Sequence, residues 1–250
     1  MNRLNRLYPS GALHARLAHQ IGRRIVTGEI AEGDPLPREA ELVREFKVSR
    51  QAVREALKVL AAKGLVAPRR RTGTVVLPRA SWNLLDPDVL AWYTPEAVRP
   101  SLFGDLIELR RVIEPAAAEL AATRVDPDRL ARMKAALDRM AAATNNPNAF
   151  FEADADYHGA LLAATGNTLF ERLDSISRAI LKVTFSLHAR SGPDYPLAVA
   201  QHTAVYDAIA RGDAAGARRA METILGTAHT HVTRMYGTSS GGVDADRAAS

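Results

Sequence analysis

Leu36-Pro37-Arg38-Glu39-Ala40-Glu41-Leu42-Val43-Arg44-Glu45-Phe46 is followed, one residue later, by Val48-Ser49-Arg50-Gln51-Ala52-Val53-Arg54-Glu55-Ala56-Leu57. In the first run Leu42, Val43 and Phe46 make one apolar side. In the second Val53, Ala56, Leu57 and Leu60 repeat at the spacing of an amphipathic helix. Pro37 suits a helix start, Ser49 is placed to cap the second helix, and Gly64 to end it. Gly64-Leu65-Val66, the arginines Arg69, Arg70 and Arg71, and Thr72-Gly73-Thr74-Val75-Val76 then read as strands over 65–68 and 74–77 around a basic turn. Upstream, Leu13, Leu17, Ile21 and Ile25 recur every fourth residue, which predicts a helix over 12–27 stopped by Gly28. Three helices followed by a small β-hairpin form a winged helix-turn-helix, a module that places one helix in the DNA major groove.

The polar face of the third helix fits that use. Arg50, Arg54 and Lys58 stand at i, i+4 and i+8, with Gln51 beside them. Arginine's planar fork bonds bidentately to guanine O6/N7 or clamps a phosphate. Arg69, Arg70 and Arg71 at the hairpin tip can reach an adjacent groove or backbone, and Gly73 lets the tip approach closely. Charge is distributed accordingly. Residues 1–80 hold 16 Lys+Arg against 7 Asp+Glu, whereas the remaining 170 hold 17 against 21. A basic small domain on a mildly acidic larger one assigns the polyanion to the first alone.

The 250 residues suffice for two domains, and 47% hydrophobic content excludes a disordered chain. No apolar run reaches bilayer length. Met1 to Pro9 has arginines but no apolar signal core, and the absence of cysteine excludes a disulfide framework or thiolate metal site. These features predict a cytoplasmic protein. Residues 1–78 read as the winged helix-turn-helix. Residues 79–100, with Pro87 and Pro95, read as a linker carrying a short helix around Asp88–Trp92. An all-helical domain of six to seven helices spans 101–236, over 101–123, 127–143, 147–165, 168–189, 195–211 and 213–235. Breaks fall at Asp126-Pro127, Asn145-Asn146-Pro147, Gly166-Asn167, Ser191-Gly192-Pro193 and Gly212-Asp213. The Gly/Ser-rich tail over 237–250 is expected to be mobile.

In the helical part Asp154 and His158 share a face at i, i+4 and can share a cation, while His202 opens a later helix. Such ligands suit Zn, Ni, Fe or Mn and leave positions open for an oxygen-bearing molecule. Arg110, in Glu108-Leu109-Arg110-Arg111, can bind a carboxylate bidentately. A surface ion pair for Asp154 and His158 is the alternative from spacing alone. A helical metallohydrolase built on the same three residues is a competing reading. No positioned general base stands out for it, and it leaves the basic domain unexplained.

The first eighty residues resemble the GntR family of bacterial transcription regulators. The resemblance is carried by Leu36-Pro37-x-Glu39, Leu42, Phe46, Val48-Ser49-Arg50-x-x-Val53-Arg54-x-Ala56-Leu57, Leu60, Gly64-Leu65-Val66 and Gly73-Thr74. It implies DNA contacts at Arg50, Arg54 and Arg70, with Ser49, Gln51, Arg69 and Gly73 around them; Arg38 joins from charge and place. Where the family often has Gly this chain has Arg71, so a less tight hairpin tip is expected. The remainder resembles the helical FCD-type ligand-binding domain of the FadR subfamily. Its marks are Glu108-Leu109-Arg110…Glu114-Pro115, Asp154…Tyr157-His158, Gly166-Asn167, and His202 with Asp207-Ala208-Ile209…Gly212-Asp213. That resemblance implies a homodimeric repressor rather than an enzyme, on a pseudo-palindromic operator. It implies a divalent metal on Asp154, His158 and His202 beneath an effector pocket that includes Arg110. The family's further His ligand falls at Ile224, which cannot ligate; His229 and His231 lie beyond it. Trp82-Asn83-x-Leu85-Asp86-x-Asp88-Val89-Leu90-x-Trp92 resembles the galactonate-responsive branch of the subfamily, which implies a sugar-acid effector. Lactate, another hydroxy acid or a dicarboxylate is the alternative. The two tryptophans are expected to pack between domains.

Overall fold

The computed structural model describes residues 13–93, 100–188 and 194–236. The chain divides into two compact units, Met1–Val98 and Arg99–Ser250. The predicted tail over 237–250 and the break at Ser191-Gly192-Pro193 lie outside the described residues.

In the first unit α1 (Leu13–Val26) and α2 (Glu39–Phe46) both pack on α3 (Arg50–Ala62), and β1 (Val66–Arg69) pairs antiparallel with β2 (Gly73–Val76). Of the apolar positions read from the sequence, Leu17, Ile21, Ile25, Leu42, Val53, Ala56 and Leu60 are buried in the core, Val43, Phe46 and Leu57 are half-buried, and Leu13 is exposed. Ser49 caps α3, its Oγ accepting the Ala52 N–H at 3.1 Å. Helix α2 starts later than Pro37 suggested. Arg38 is its cap residue, and its backbone N–H donates to the Glu41 carboxylate at 2.7 Å. A bridge from Pro35 to Val75 and a bond from Leu36 N–H to the Thr74 carbonyl (2.8 Å) fasten the loop before α2 to the hairpin.

The hairpin tip is tight, contrary to expectation. Arg69 pairs with Gly73 across a three-residue turn, and Arg71 itself adopts the left-handed conformation (φ 70°) that glycine normally fills. A non-glycine residue there costs about 1 kcal/mol. The chain tolerates that cost at an exposed arginine.

The segment read as linker is in part folded onto this unit. A 3₁₀ turn (Arg79–Ser81) leads to α4 (Pro87–Trp92), which packs on α1. The Trp92 indole lies against Gly22, where any Cβ would strike the ring. The Trp82 indole N–H donates to the Leu77 carbonyl at 2.8 Å. Buried Lys63, capping the C-terminal end of α3, bonds Asp86 at 2.7 Å and Asp88 at 2.9 Å. Both tryptophans are buried, and the contacts described for them are with the first unit: Trp92 with Gly22 of α1 and Trp82 with the Leu77 carbonyl. Large buried rings of this kind give residues 79–93 apolar contact to fold on.

The described residues of the second unit form seven helices: α5 (Pro100–Thr123), α6 (Pro127–Ala142), α7 (Pro147–Ala164), α8 (Thr168–Arg172), α9 (Asp174–His188), α10 (Tyr195–Ala210) and α11 (Ala214–Tyr236). The helix expected over 168–189 is broken at Leu173 into α8 and α9. Elsewhere the polar caps at Asp126 and Asn146 work as read, each accepting a backbone N–H three residues on, ahead of a proline in the first turn. Asp194, which the sequence reading did not name, does the same for the helix that begins at Tyr195. Helices α5, α6, α7, α10 and α11 enclose a core built on Met133, Met140, Tyr157, Leu161, Val205 and Met221. Among the described residues no helix is long and apolar enough to cross a membrane.

Candidate functional site

Two sets of residues carry chemistry, one in each unit. The first lies on the outer face of α3 and the hairpin. Arg38, Ser49, Arg50, Gln51, Arg54, Arg69, Arg70 and Gly73 are all exposed. Two acids that the sequence reading passed over share this face. Glu39 of α2 accepts from Arg54 Nε at 3.1 Å, and Glu55 accepts from Gln51 at 3.1 Å and from Lys58 at 3.0 Å. The Glu55 contacts are legible as i, i+4 and i, i+3 neighbours on a helix. Glu39 is fifteen positions from Arg54, and only the packing of α2 on α3 brings them together. These exposed pairs contribute little to stability. Their effect is on conformation, since they hold long side chains in place on the helix face.

The second set is buried between helices of the second unit. Arg110 and Glu114 come from α5, Asp154 and His158 from α7, Ser177 from α9 and His202 from α10. Arg110 grips Glu114 with two bonds, Nε to Oε1 at 2.7 Å and Nη2 to Oε2 at 3.1 Å. Glu114 Oε2 also lies 3.1 Å from His158 Nδ1, close but off the line of a hydrogen bond. The opposite nitrogen of that ring, Nε2, faces Arg110 Nη2 at 3.4 Å, His202 Nε2 at 3.4 Å and Asp154 Oδ1 at 3.8 Å. His202 Nε2 stands 3.2 Å from the same Asp154 oxygen.

The His202 ring is oriented from behind. Its Nδ1 lies 2.7 Å from the Ala198 carbonyl, which only accepts, so Nδ1 carries the hydrogen and Nε2 is left facing the cluster. The Tyr157 hydroxyl donates to the His202 backbone carbonyl at 2.8 Å, and its ring meets the imidazole edge-on. Burial pushes the Glu114 carboxyl up, but Arg110 and His158 outweigh it and hold Glu114 well below the usual carboxylate range. Burial likewise pushes Asp154 up, while His202, His158 and Arg110 bring it below its ordinary value.

Two ring nitrogens and a carboxylate oxygen thus converge with little between them. Metal–ligand bonds of about 2.1 Å place neighbouring donors roughly 3.0–3.4 Å apart. The observed 3.2 and 3.4 Å separations match, and 3.8 Å needs a small ring movement. With both imidazoles neutral, three lone pairs point together, an arrangement that a cation at the centre stabilises. Glu114 beside His158 Nδ1 and Ala198 behind His202 are the outer partners that metal-binding histidines use. Among the described residues these three are the group that could hold a metal ion.

The structure brings together Arg110, Asp154, His158 and His202. Arg110 is not free in the way its sequence position suggested. The Nε–Nη2 edge is already taken by Glu114, which leaves the edge built on Nη1. Glu114 was visible at i+4 from Arg110, but its approach to His158 was not. Ile224 is buried in the apolar core of α11 and adds no ligand. His229 and His231 fall on α11, with side chains outside the described set.

Comparison with known proteins finds a family match in each unit. Residues 13–76 match the model for bacterial regulatory proteins of the gntR family, and residues 105–227 match the FCD domain. The chain is 36% identical over 214 residues to the galactonate operon transcriptional repressor of Escherichia coli (strain K12), across 84% of this chain and 92% of that one. It is 30% identical over 223 residues to the HTH-type transcriptional repressor NanR of Cronobacter sakazakii, across 86% and 82%. A solved structure of Lar, described as controlling expression of the Listeria monocytogenes agr system, aligns at TM-score 0.67 over 91% of this chain and 100% of that one. At 18% identity that likeness shows the fold alone. With an exposed basic α3 and hairpin in one unit and a buried ligand-type cluster in the other, the chain belongs to the gntR family of bacterial regulatory proteins, with a helix-turn-helix DNA-binding unit joined to an FCD unit for a small-molecule effector.

Proposed function

We propose that the protein is a homodimeric repressor of sugar-acid catabolism, released from its operator by a galactonate-like carboxylate. Two copies of α3 enter successive major grooves of a pseudo-palindromic site, with Arg50, Gln51 and Arg54 at the base edges. Ser49, Arg38, Arg69, Arg70 and the Gly73 tip hold the phosphates. Acting on an operator places the protein in the cytoplasm. The observation that supports the effector half is that Arg110 Nη2, which the Glu114-bound edge shares with the remaining Nη1 edge, lies 3.4 Å from His158 Nε2. One carboxylate can then meet Arg110 and the centre of the cluster together. Asp154, His158 and His202 would hold a divalent ion of the Zn, Ni, Fe or Mn class. When bound, the ion supplies a Lewis-acid anchor for carboxylate and hydroxyl oxygens. With Ile224 in the fourth ligand's place, metal affinity is lower than for a four-ligand site, and the effector's own oxygens complete the shell. The effector weakens operator binding only as far as it binds the DNA-free state more tightly than the DNA-bound one.

The DNA half is tested by letting the purified protein select from a random duplex library. The expected product is an inverted repeat, bound at least about 10³-fold more tightly than random duplex at physiological salt. Its affinity should fall steeply with salt, because binding releases the counterions of the phosphates that Lys and Arg neutralise. Equal affinity for the selected and random duplexes would instead indicate an architectural DNA binder.

A further inference from the structure

The buried cluster has a charge balance that the metal ligands alone do not explain. Arg110 carries +1, while Glu114 and Asp154 each carry −1. Arg110 and Glu114 are 5% and 2% exposed, so solvent screens neither. Their two short bonds pair them as a unit of zero net charge. The cluster without an ion therefore sums to −1, and a divalent ion brings it to +1. A buried net charge is costly until it is paired. One further negative charge completes the site, and a second overshoots it. The cations next along the helices offer no relief. Arg178 and Arg139 are both engaged by Asp156, and Arg178 also lies near Glu152.

We propose that Glu114 is a specificity-determining residue: by neutralising Arg110 it makes the metal-loaded site select a singly charged hydroxy-carboxylate and reject the matching dianion. This rests on the reading of the cluster as a metal-assisted carboxylate site, and narrows the ligand class within it. Geometry supports the same assignment. Glu114 takes the Nε–Nη2 edge of Arg110. The edge shared by Nη1 and Nη2 remains, with Nη2 3.4 Å from His158 Nε2, and a single edge holds one carboxylate and not two. Ser177 Oγ, 3.4 Å from Glu114 Oε1, helps hold the carboxylate in that position. Without Glu114 the loaded cluster would stand at +2, a charge suited to a dianion.

Isothermal titration of the metal-loaded full-length protein tests this with matched pairs. D-galactonate and galactarate share a six-carbon skeleton and the C2–C5 hydroxyls, a carboxylate replacing the C6 hydroxymethyl in galactarate; in tartronate a carboxylate replaces the methyl of lactate. In each pair that binds, the wild type is expected to favour the monoanion by about 10-fold or more. Glu114→Gln is expected to shrink that ratio by about 10-fold or to reverse it. Because Glu114→Gln leaves Arg110 unpaired and can fail to fold, the double variant Arg110→Gln/Glu114→Gln is measured as well. It restores the net charge of the loaded site, so its monoanion preference should persist at lower overall affinity. A dianion bound as tightly as its monoanion by the wild type overturns the proposal. So does an unchanged ratio in Glu114→Gln, or a lost preference in the double variant. If the galactonate pair is silent while the lactate pair follows the charge rule, the rule stands and the sugar-acid reading falls. Silence of both pairs overturns both.

Discussion

Replacing Arg54 by alanine is expected to lower operator affinity by roughly 10²-fold or more while leaving the thermal midpoint within about 1 °C of wild type. A lost bidentate base contact costs about 1–3 kcal/mol, and a symmetric dimer loses it in both half-sites. Stability is spared because the Arg54 side chain is 61% exposed and its partner Glu39 is 41% exposed, so their ion pair contributes little to folding. Arg54→Lys separates base readout from charge. It keeps the cation but loses the fork, so binding to random duplex should persist while preference for the operator falls. Glu39→Gln should act in the opposite direction, removing a negative charge that faces the phosphates. Fluorescence anisotropy on operator and scrambled duplexes measures all three. Wild-type operator affinity in Arg54→Ala would remove α3 from the recognition role.

His202→Ala is the second large effect. It deletes one of three converging donors and leaves Asp154 and His158, a pair too poor in ligands to hold a divalent ion. Metal affinity should fall at least about 100-fold by titration calorimetry. The Tyr157 bond is to the His202 backbone carbonyl, so the substitution leaves that anchor in place. The cost to folding is a cavity of about 2–3 kcal/mol. Operator affinity without effector should be unchanged, because the DNA-reading residues belong to the other unit. Effector should no longer release the operator, and the variant would repress constitutively. Unaltered metal binding in His202→Ala would rule out the cluster as the ligand set.

What was legible in the sequence followed from how local the signals are. The α6 and α7 boundaries came from Asp126-Pro127 and Asn146-Pro147, which cap and start helices through neighbours in the chain. Asp154 and His158 could be paired because i, i+4 spacing is a property of one helix. His202 was a candidate third ligand by residue type, and the family resemblance tied it to them, since nothing local links α10 to α7. The packing-dependent features were not legible. Glu39 reaching Arg54, Glu114 turning from Arg110 to His158, and residues 79–93 folding onto α1 through Gly22 all depend on surfaces formed after the helices exist. Arg71 shows the limit from the other side. Its residue type argued against a tight turn, but the pairing of β1 with β2 imposes the left-handed conformation there.

The central claim is that a metal-assisted carboxylate in one unit sets the affinity of the other for DNA. The most direct measurement is dissociation of the protein from its selected operator, followed by anisotropy during D-galactonate titration, with Zn²⁺ or Mn²⁺ present and then with the ion chelated. The account predicts release with the ion and none without it. Release that is indifferent to chelation, or an operator that stays bound at saturating galactonate with every ion, would contradict it.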